Sequence, residues 1–394
     1  MSFNSTPSAE RVHIGFFGLR NAGKSSVVNA VTAQELSLVS DVKGTTTDPV
    51  RKAMELLPIG PVVIIDTPGT DDEGELGEQR VRRAMKTLDE TDIAVLVIDA
   101  EKGETQADEE LKKLITERKI PLITVYNKAD LLPAVPTARE NTLYVSAASG
   151  TNIFELKEML GRIAADGKKE KRLIGDLLQK DDIVVLVTPI DESAPKGRMI
   201  LPQQQTIRDV LDSDAVCLVT KETQLETLLS SLPKNPRLVV TDSQAFGFVN
   251  KVVPKDIPLT SFSMLFARYK GDLFALADGA DTLDKLRDGD RVLISEGCTH
   301  HRQCNDIGTV KLPNWVSKYT GKNLIFDFTS GRDFPEDVSE YSLVIHCGGC
   351  MLNDTEISSR AKRAKAQGVP MTNYGTAIAK MHGILERAIK PLKP

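Results

Sequence analysis

Residues 18–25, with the sequence GLRNAGKS, combine glycines, a lysine and a serine at the spacing of a phosphate-binding loop. The glycines let backbone N–H groups close around phosphates at the positive end of the helix that follows. Lys24 would reach the β- and γ-phosphates, and the Ser25 hydroxyl would bind Mg²⁺. The predicted phosphate-binding residues are Gly18, Asn21, Ala22, Gly23, Lys24, Ser25 and Ser26.

Three further motifs follow in the order that a guanine-nucleotide site requires. DTPG (66–69) ends a strand, which would bring Asp66 to the magnesium and the Gly69 amide to the γ-phosphate. NKAD (127–130) ends another strand, and its last carboxylate could accept hydrogen bonds from guanine N1 and the exocyclic amine, which adenine cannot offer there. SAAS (146–149) would close over the base. The predicted base-binding residues are Asn127, Lys128, Asp130, Ser146 and Ala147. The four motifs predict a GTP-binding domain of the small-GTPase type.

Soft metal ligands follow two later strands of the chain. EGCTHHRQC (296–304) comes after the strand RVLIS, and HCGGC (346–350) comes after the strand SLVI. If these strands are parallel in one sheet, Cys298 can meet Cys347 and Cys350 at the carboxyl edge. Three thiolates suit zinc, with His300 or His346 as a fourth ligand, or a [4Fe–4S] cluster with one open iron position. Ligand chemistry alone leaves both metals open.

The elements that would position these residues form three sets. Between residues 11 and 168, runs such as VVIID and IAVLVID read as strands buried on both faces of a parallel sheet, with helices between them. Two smaller α/β sets follow at 169–265 and 266–394, with no clear internal repeat, and residues 1–10 are expected to be a flexible tail. The predicted fold is therefore α/β, with an N-terminal P-loop GTPase domain followed by two smaller α/β domains.

Composition excludes several classes of protein. A formal net charge of −5 over 394 residues argues against broad nucleic-acid binding, which relies on basic patches. No apolar run is long enough to span a bilayer, and the first ten residues contain no apolar signal region. Five cysteines are too few, and odd in number, for a disulfide framework, so we expect a cytoplasmic protein. Since no apolar run could span a bilayer, we expect no membrane partners.

The chain resembles the potassium-activated GTPases that include Era and the tRNA-modifying GTPase TrmE. The resemblance is carried by the motifs GLRNAGKSS, GTTTDP (44–49) and DTPG. The resemblance implies that Thr46 joins the Mg²⁺ shell when GTP is bound and that Asn21 helps to hold K⁺ against the phosphates. Thr70 stands where Ras-like proteins carry the water-orienting glutamine, so we expect slow hydrolysis. Glu78 resembles the downstream glutamate that TrmE uses through a bridging water. The predicted catalytic residues are Lys24, Thr46, Asp66, Gly69 and Glu78.

The arrangement Cys298-Thr-His300 and His346-Cys347-Gly-Gly-Cys350 is similar to the signature of the HydF family of [FeFe]-hydrogenase maturation GTPases. SAPKGRMILPQQQTIRDVLD (193–212) also looks like the dimerisation domain of that family, and the resemblance covers essentially the whole chain. It implies a homodimer in which the second and third domains serve dimerisation and iron–sulfur binding. It further implies a [4Fe–4S] cluster on Cys298, Cys347 and Cys350, with His300 and His346 as candidate fourth or outer ligands.

The same resemblance implies a scaffold that carries the diiron precursor of the hydrogenase active site, the H-cluster. The radical enzymes HydE and HydG and the apo-hydrogenase HydA would be its partners. Two other interpretations stay open at this point. One is an RNA- or ribosome-associated GTPase with a structural zinc module, against which the acidic balance counts. The other is an ordinary electron carrier, which would be expected to have four cysteine ligands.

Overall fold

The computed structural model describes residues 6–34, 49–68, 84–137, 139–167, 171–190, 199–297 and 306–393. The chain divides into two compact units, Met1–Lys169 and Glu170–Pro394, which we call unit 1 and unit 2. Each unit is an α/β structure in which the segments that follow the strands carry the candidate site residues.

Unit 1 contains one six-stranded sheet with strand order β2-β3-β1-β4-β5-β6. Its strands are β1 (Val12–Phe17), β2 (Val50–Leu56), β3 (Gly60–Asp66), β4 (Ile93–Asp99), β5 (Leu122–Asn127) and β6 (Thr142–Tyr144). β2 is antiparallel to β3, and the other pairs are parallel. Its helices include α1 (Lys24–Thr32), α2 (Gln106–Glu117) and α3 (Ile153–Gly167), and residues 84–88 are also helical.

The helices of unit 1 cover both faces of this sheet, which explains why its central strands are apolar throughout. Every residue of β4 is buried. One face packs against Val28 of α1 and Leu156 of α3, and the other packs against Leu111 and Ile115 of α2. A capping box in which Thr105 and Asp108 exchange hydrogen bonds fixes the start of α2. The sheet that carries the nucleotide motifs at its carboxyl ends is thus packed on both faces.

Unit 2 contains two four-stranded parallel sheets. The first has the order β10-β9-β7-β8, and the second has the order β12-β11-β13-β14. The strands are β7 (Ile183–Val187), β8 (Val216–Thr220), β9 (Leu238–Thr241), β10 (Leu259–Ser261), β11 (Arg291–Glu296), β12 (Ile325–Ser330), β13 (Leu343–His346) and β14 (Met371–Asn373). The helices with the first sheet are α4 (Leu201–Leu211), α5 (Leu225–Ser231), α6 (Phe246–Val252) and α7 (Phe262–Lys270). Those with the second are α8 (Leu273–Ala280), α9 (Leu312–Thr320), α10 (Asp354–Ala366), α11 (Tyr374–Met381) and α12 (Leu385–Ile389).

The two sheets of unit 2 share one topology. In each, the first strand lies between the second and the third, and the fourth lies outside the third. The repeat is structural and is not evident in the sequence. One continuous core joins both halves, since Val185 of β7, Phe262 of α7 and Ile345 of β13 belong to the same buried cluster. The boundary expected between residues 265 and 266 falls inside α7.

Within the residues that the structure describes, no helix is both long and apolar enough to cross a lipid bilayer.

Candidate functional site

The phosphate-binding loop joins β1 to α1, and two of its glycines are required by close contacts. Gly18 has a φ of 138°, and a Cβ atom there would lie 2.1 Å from the backbone oxygen of Val97. Gly23 has a φ of 85° and precedes α1, and a Cβ atom there would lie 2.2 Å from the Asn127 amide nitrogen. A side chain at either position would push the loop away from the strands that support it.

Lys24, Ser25 and Asp66 form the polar centre of this loop. The buried Lys24 Nζ donates hydrogen bonds to the backbone oxygens of Gly18 at 2.9 Å and Leu19 at 2.7 Å. Ser25 Oγ donates to Asp66 Oδ2 at 2.7 Å, so the two predicted Mg²⁺ ligands are in direct contact. Asp66 Oδ1 is buried and has no hydrogen-bond partner among the described residues. A hydroxyl beside a carboxylate with an unpaired buried oxygen fits a hard divalent cation.

The opposite side of the site is organised by Asn127, at the end of β5. Its amide nitrogen donates to the Ala22 oxygen at 3.1 Å, and its amide oxygen accepts from the Ala147 N–H at 3.1 Å. The side chain therefore ties the phosphate-binding loop to the SAAS loop. Lys128 Nζ lies 2.6 Å from Asp99 Oδ2 at the end of β4. Burial raises the pKa of Asp99, but the hydrogen bond from Lys128 and further favourable contacts outweigh it, so the net pKa is lowered.

The remaining predicted residues of the nucleotide site differ in how exposed they are to solvent. Asp130 lies exposed in the 3₁₀ turn Ala129–Leu131, Ser146 is fully buried, and Ser26 is half-buried in the first turn of α1. Asn21 is exposed and has a φ of 61°. Several predicted residues of both sites lie outside the described residues: Thr46, Gly69, Glu78, Cys298 and His300.

The second candidate site lies at the carboxyl ends of β11 and β13. These strands are parallel neighbours, which is the condition for the three cysteines to meet at one edge. Cys347 Sγ accepts hydrogen bonds from the Gly297 N–H at 3.0 Å and from the Gly349 N–H at 3.3 Å. Gly297 directly precedes Cys298 in the chain. The segment that leads into the first cysteine therefore lies against the sulfur of the second.

The two cysteines of this loop, Cys347 and Cys350, are half-buried. Burial, followed by the neighbouring Cys350, raises the pKa of Cys347 to about 11, although the two N–H groups act in the opposite direction. Burial also raises the pKa of Cys350, while the ammonium of Lys270 acts to lower it. Lys270 Nζ donates to the backbone oxygens of Gly349 at 3.1 Å, Cys350 at 3.4 Å and Leu352 at 2.6 Å.

His346 is buried, and both of its ring nitrogens have partners. Arg360 Nη1 lies 3.0 Å from Nε2, and because a guanidinium can only donate, Nε2 is the acceptor and Nδ1 carries the proton. Nδ1 then donates to the Cys347 backbone oxygen at 2.8 Å. Burial, with the charge of Arg360, lowers the pKa of His346 to about 3. Arg360 is itself paired with Glu356 at 2.6 Å.

The described part of this site holds an incomplete ligand set. Across the described ranges, no group of three or more His, Cys, Asp or Glu side chains is placed to hold a metal ion. Cys347 and Cys350 lie within those ranges, and Cys298 does not. Backbone N–H groups directed at a cysteine sulfur, in a buried loop that a cation supports, suit a thiolate-ligated iron–sulfur cluster.

Three residues that contact the predicted sites are absent from the sequence-based predictions. Asp99 could have been found, because it ends a buried strand just as Asp66 and Asn127 do. Lys270 and Arg360 carry no local signal, since each lies on a helix and reaches its partners only through the tertiary structure.

Comparison with known proteins assigns a family to each part of the chain. The family models described as "Hydrogen maturase F dimerization domain" and "Hydrogen maturase F tetramerization domain" match residues 173–271 and 273–391. A third model, described as "50S ribosome-binding GTPase", matches residues 13–128. The chain therefore has an N-terminal GTPase domain followed by two HydF domains, which confirms the predicted fold class.

Curated relatives resemble only part of the chain. The tRNA modification GTPase MnmE of Nitrosomonas europaea is 34% identical over 160 residues, which is 39% of this chain and 35% of that protein. MnmE of Synechococcus sp. is 38% identical over 177 residues, 43% of this chain and 37% of that protein. Among solved structures, Era of Aquifex aeolicus is 19% identical with a TM-score of 0.35, covering 53% of this chain and 93% of that chain. The chain thus spans little more than a third of the MnmE proteins that it matches.

These matches separate the alternatives that the sequence leaves open. Similarity to tRNA modification GTPases accounts for the GTPase part alone, whereas two adjacent models of one family account for nearly all of unit 2. The descriptions of the two HydF models name dimerization and tetramerization, which indicates an oligomeric protein. The predicted resemblance is confirmed, and the chain belongs to the hydrogen maturase F (HydF) family of GTPases.

Proposed function

We propose that this protein is a GTP-hydrolysing iron–sulfur scaffold that assembles the diiron precursor of the H-cluster and delivers it to the apo-[FeFe]-hydrogenase HydA. HydE and HydG, the radical enzymes implied by the family resemblance, would be its further partners. The single observation that carries the cluster part is the hydrogen bond from the Gly297 N–H to Cys347 Sγ at 3.0 Å. This contact supports a common ligand set for Cys298 and the loop after β13.

In the nucleotide site, each residue has a proposed role. Lys24 would neutralise charge on the β- and γ-phosphates, and the Gly69 amide would bind the γ-phosphate. Ser25 and Asp66, joined by Thr46, would hold Mg²⁺, and the contact between the first two supports this assignment. Asn21 would bind K⁺, which offsets charge on the phosphates when it is bound. Asp130 would select guanine.

The hydrolysis of GTP to GDP and phosphate would be slow and stimulated by potassium. Glu78 is the proposed water-orienting group, acting through a bridging water. Asn127 and Ala147 connect the base-binding loops to the phosphate-binding loop, which supports a site that closes as one unit around the nucleotide.

In the thiolate site, Cys298, Cys347 and Cys350 would hold a [4Fe–4S] cluster. Three thiolate ligands leave one iron with a weaker, exchangeable ligand, which suits a carrier that must release its cargo. His300 is the proposed candidate for that position. We propose that His346 instead orients the loop, because ligation through Nε2 would leave the Arg360 guanidinium without that acceptor in a buried site.

For the oligomer, we propose that the edge strands of unit 2 contact further copies of the chain. β8 ends the first sheet and exposes Val216 (44%) and Val219 (47%). β12 ends the second sheet and exposes Ile325 (50%) and Phe328 (38%). Unpaired apolar edge strands favour pairing with another chain, and β8 belongs to the region that matches the dimerization model. We further propose a cytoplasmic location, which the small, odd number of cysteines supports.

The test is anaerobic iron–sulfur reconstitution followed by iron and zinc analysis and electron paramagnetic resonance with and without imidazole. We expect a [4Fe–4S] signal that shifts with imidazole and disappears in Cys347→Ala, with Cys217→Ala as the matched control. GTP hydrolysis measured in potassium and in sodium buffers tests the nucleotide part. A colourless protein that contains stoichiometric zinc would contradict the scaffold proposal.

A further inference from the structure

Lys270 is a buried lysine at the carboxyl end of α7, where it meets the loop that follows β13. Its side chain is only 5% exposed. An ammonium group has three hydrogen-bond donors, and three backbone oxygens of residues 349–352 accept from it at 2.6–3.4 Å. Its Nζ also lies 5.7 Å from the centre of the Phe266 ring.

The loop that Lys270 contacts needs an external support. Gly349 has a φ of 64°, and the loop turns sharply between Cys347 and Cys350. In this loop the Gly349 oxygen also accepts from the Leu352 N–H at 3.1 Å. Carbonyl groups outside strands and helices depend on such donors, and burial makes an unsatisfied carbonyl costly. Lys270 binds three of them with one charged side chain, and hydrogen bonds to charged groups are stronger than those between neutral groups.

The position of Lys270 in the chain adds a second consequence. Lys270 belongs to the region that matches the dimerization model, residues 173–271, whereas Cys350 belongs to the region that matches the tetramerization model, residues 273–391. The region that matches the dimerization model thus contributes a cation directly to a cysteine loop in the region that matches the tetramerization model.

We propose that Lys270 is a positioning residue for the cysteine loop: it holds Cys347 and Cys350 in the ligating conformation, and its positive charge stabilises the anionic state of the cluster. The second half of this inference rests on the proposed iron–sulfur function. The first half concerns the loop itself and is testable without any metal. A positive charge beside the cluster favours the reduced, more negative state, so its removal lowers the midpoint potential.

The experiment compares the full-length wild type with three variants. Lys270→Met removes the charge and keeps the volume, Lys270→Arg keeps the charge, and Lys318→Met replaces an exposed lysine of α9 as the matched control. Amide hydrogen exchange of residues 349–352 is measured on the metal-free proteins. We expect exchange to be faster in Lys270→Met by roughly tenfold or more, given the strength of hydrogen bonds to charged groups. Unchanged exchange in β13 would exclude global unfolding.

The second measurement uses anaerobically reconstituted proteins and records iron content and the midpoint potential. We expect Lys270→Met to bind several-fold less iron and to show a lower potential than Lys270→Arg and Lys318→Met. Equal exchange at residues 349–352 in Lys270→Met and wild type would overturn the positioning role, and equal potentials would overturn the electrostatic role. If the wild type takes up no iron, the proposed cluster function fails, while the exchange comparison still decides the role of Lys270.

Discussion

Replacement of Arg360 by methionine tests the buried polar network that Arg360 forms with His346 and Glu356, next to the cysteine loop. Arg360 Nη1 donates to His346 Nε2 at 3.0 Å, and Nη2 donates to Gly331 O and to Glu356 Oε1, both at 2.6 Å. The side chains of Arg360 and Glu356 are only 3% and 6% exposed. The substitution would therefore remove the nearer guanidinium from the buried Glu356 carboxylate, and Arg332, whose Nε lies 3.9 Å from Glu356 Oε2, would remain.

The expected cost follows from that burial. Removing one partner of a buried ion pair costs about 3–5 kcal/mol, mainly because the other charge stays in a medium that solvates it poorly. For a unit of the size of unit 2, each kcal/mol lowers Tm by about 2–4 °C, which predicts a decrease of about 6–20 °C. The double variant Glu356→Gln/Arg360→Met removes both charges, so we expect it to regain more than half of the loss.

The assay is urea and thermal unfolding followed by tryptophan fluorescence. The chain has one tryptophan, Trp315 in α9, so the signal reports unit 2 and not unit 1. Arg208→Met is the matched control, because Arg208 and Asp212 form a pair of the same i,i+4 spacing on an exposed helix face. We expect no measurable change in this control. A double variant no more stable than Arg360→Met would refute the reasoning, since the loss of the Arg360 guanidinium from a buried carboxylate could not then be the cause.

Three further predictions concern other parts of the chain. Asn127→Ala removes the partner of the buried Ala22 oxygen, at about 1–3 kcal/mol, and of the half-buried Ala147 N–H. A fluorescent GTP analogue should therefore bind at least about fivefold more weakly, and wild-type affinity would contradict the bridging role. Gly18→Ala places a Cβ atom 2.1 Å from the Val97 oxygen, and the same titration should show a loss of more than about tenfold. Burial raises the pKa of Cys217 to about 11, which keeps the thiol protonated at pH 8. Alkylation of Cys217 at pH 8, followed by mass spectrometry, should be about 100-fold slower than for a thiol of pKa 9. The rate should rise about tenfold per pH unit up to pH 11. A rate equal to that of a free thiol would contradict the burial of Cys217.

The parts of the fold that are encoded locally were predictable from the sequence. The strand VHIGFF coincides with β1, and the loop GLRNAGKS joins it to α1 as its spacing predicts. Continuous apolar runs identify strands that are covered on both faces. Glycines identify tight turns, because few other residues adopt the backbone conformations that such turns need. The parallel pairing of the two strands that precede the cysteines was a condition of the predicted site, and the structure meets it.

The supports of the sites were not predictable in the same way. Lys270 ends the segment FSMLFARYK, in which a terminal lysine reads as a solvated group, yet it reaches backbone oxygens 79–82 residues further along the chain. Arg360 contacts Ser295 across 65 residues and lies on a helix with many charged positions. These long-range side-chain contacts depend on how whole helices and strands pack together. A single sequence contains no local pattern that predicts them.

The continuous core of unit 2 has a thermodynamic consequence. Because Val185 of the first sheet and Ile345 of the second lie in one buried cluster, neither sheet can lose its packing without exposing the other. Any ligand that binds only the native form of one sheet then stabilises the native form of both by RT ln(1 + [L]/Kd). If the proposed function holds, ligand binding at the cysteine loop and association at the β8 edge would therefore be linked through the folding equilibrium, even without a structural change in the native state.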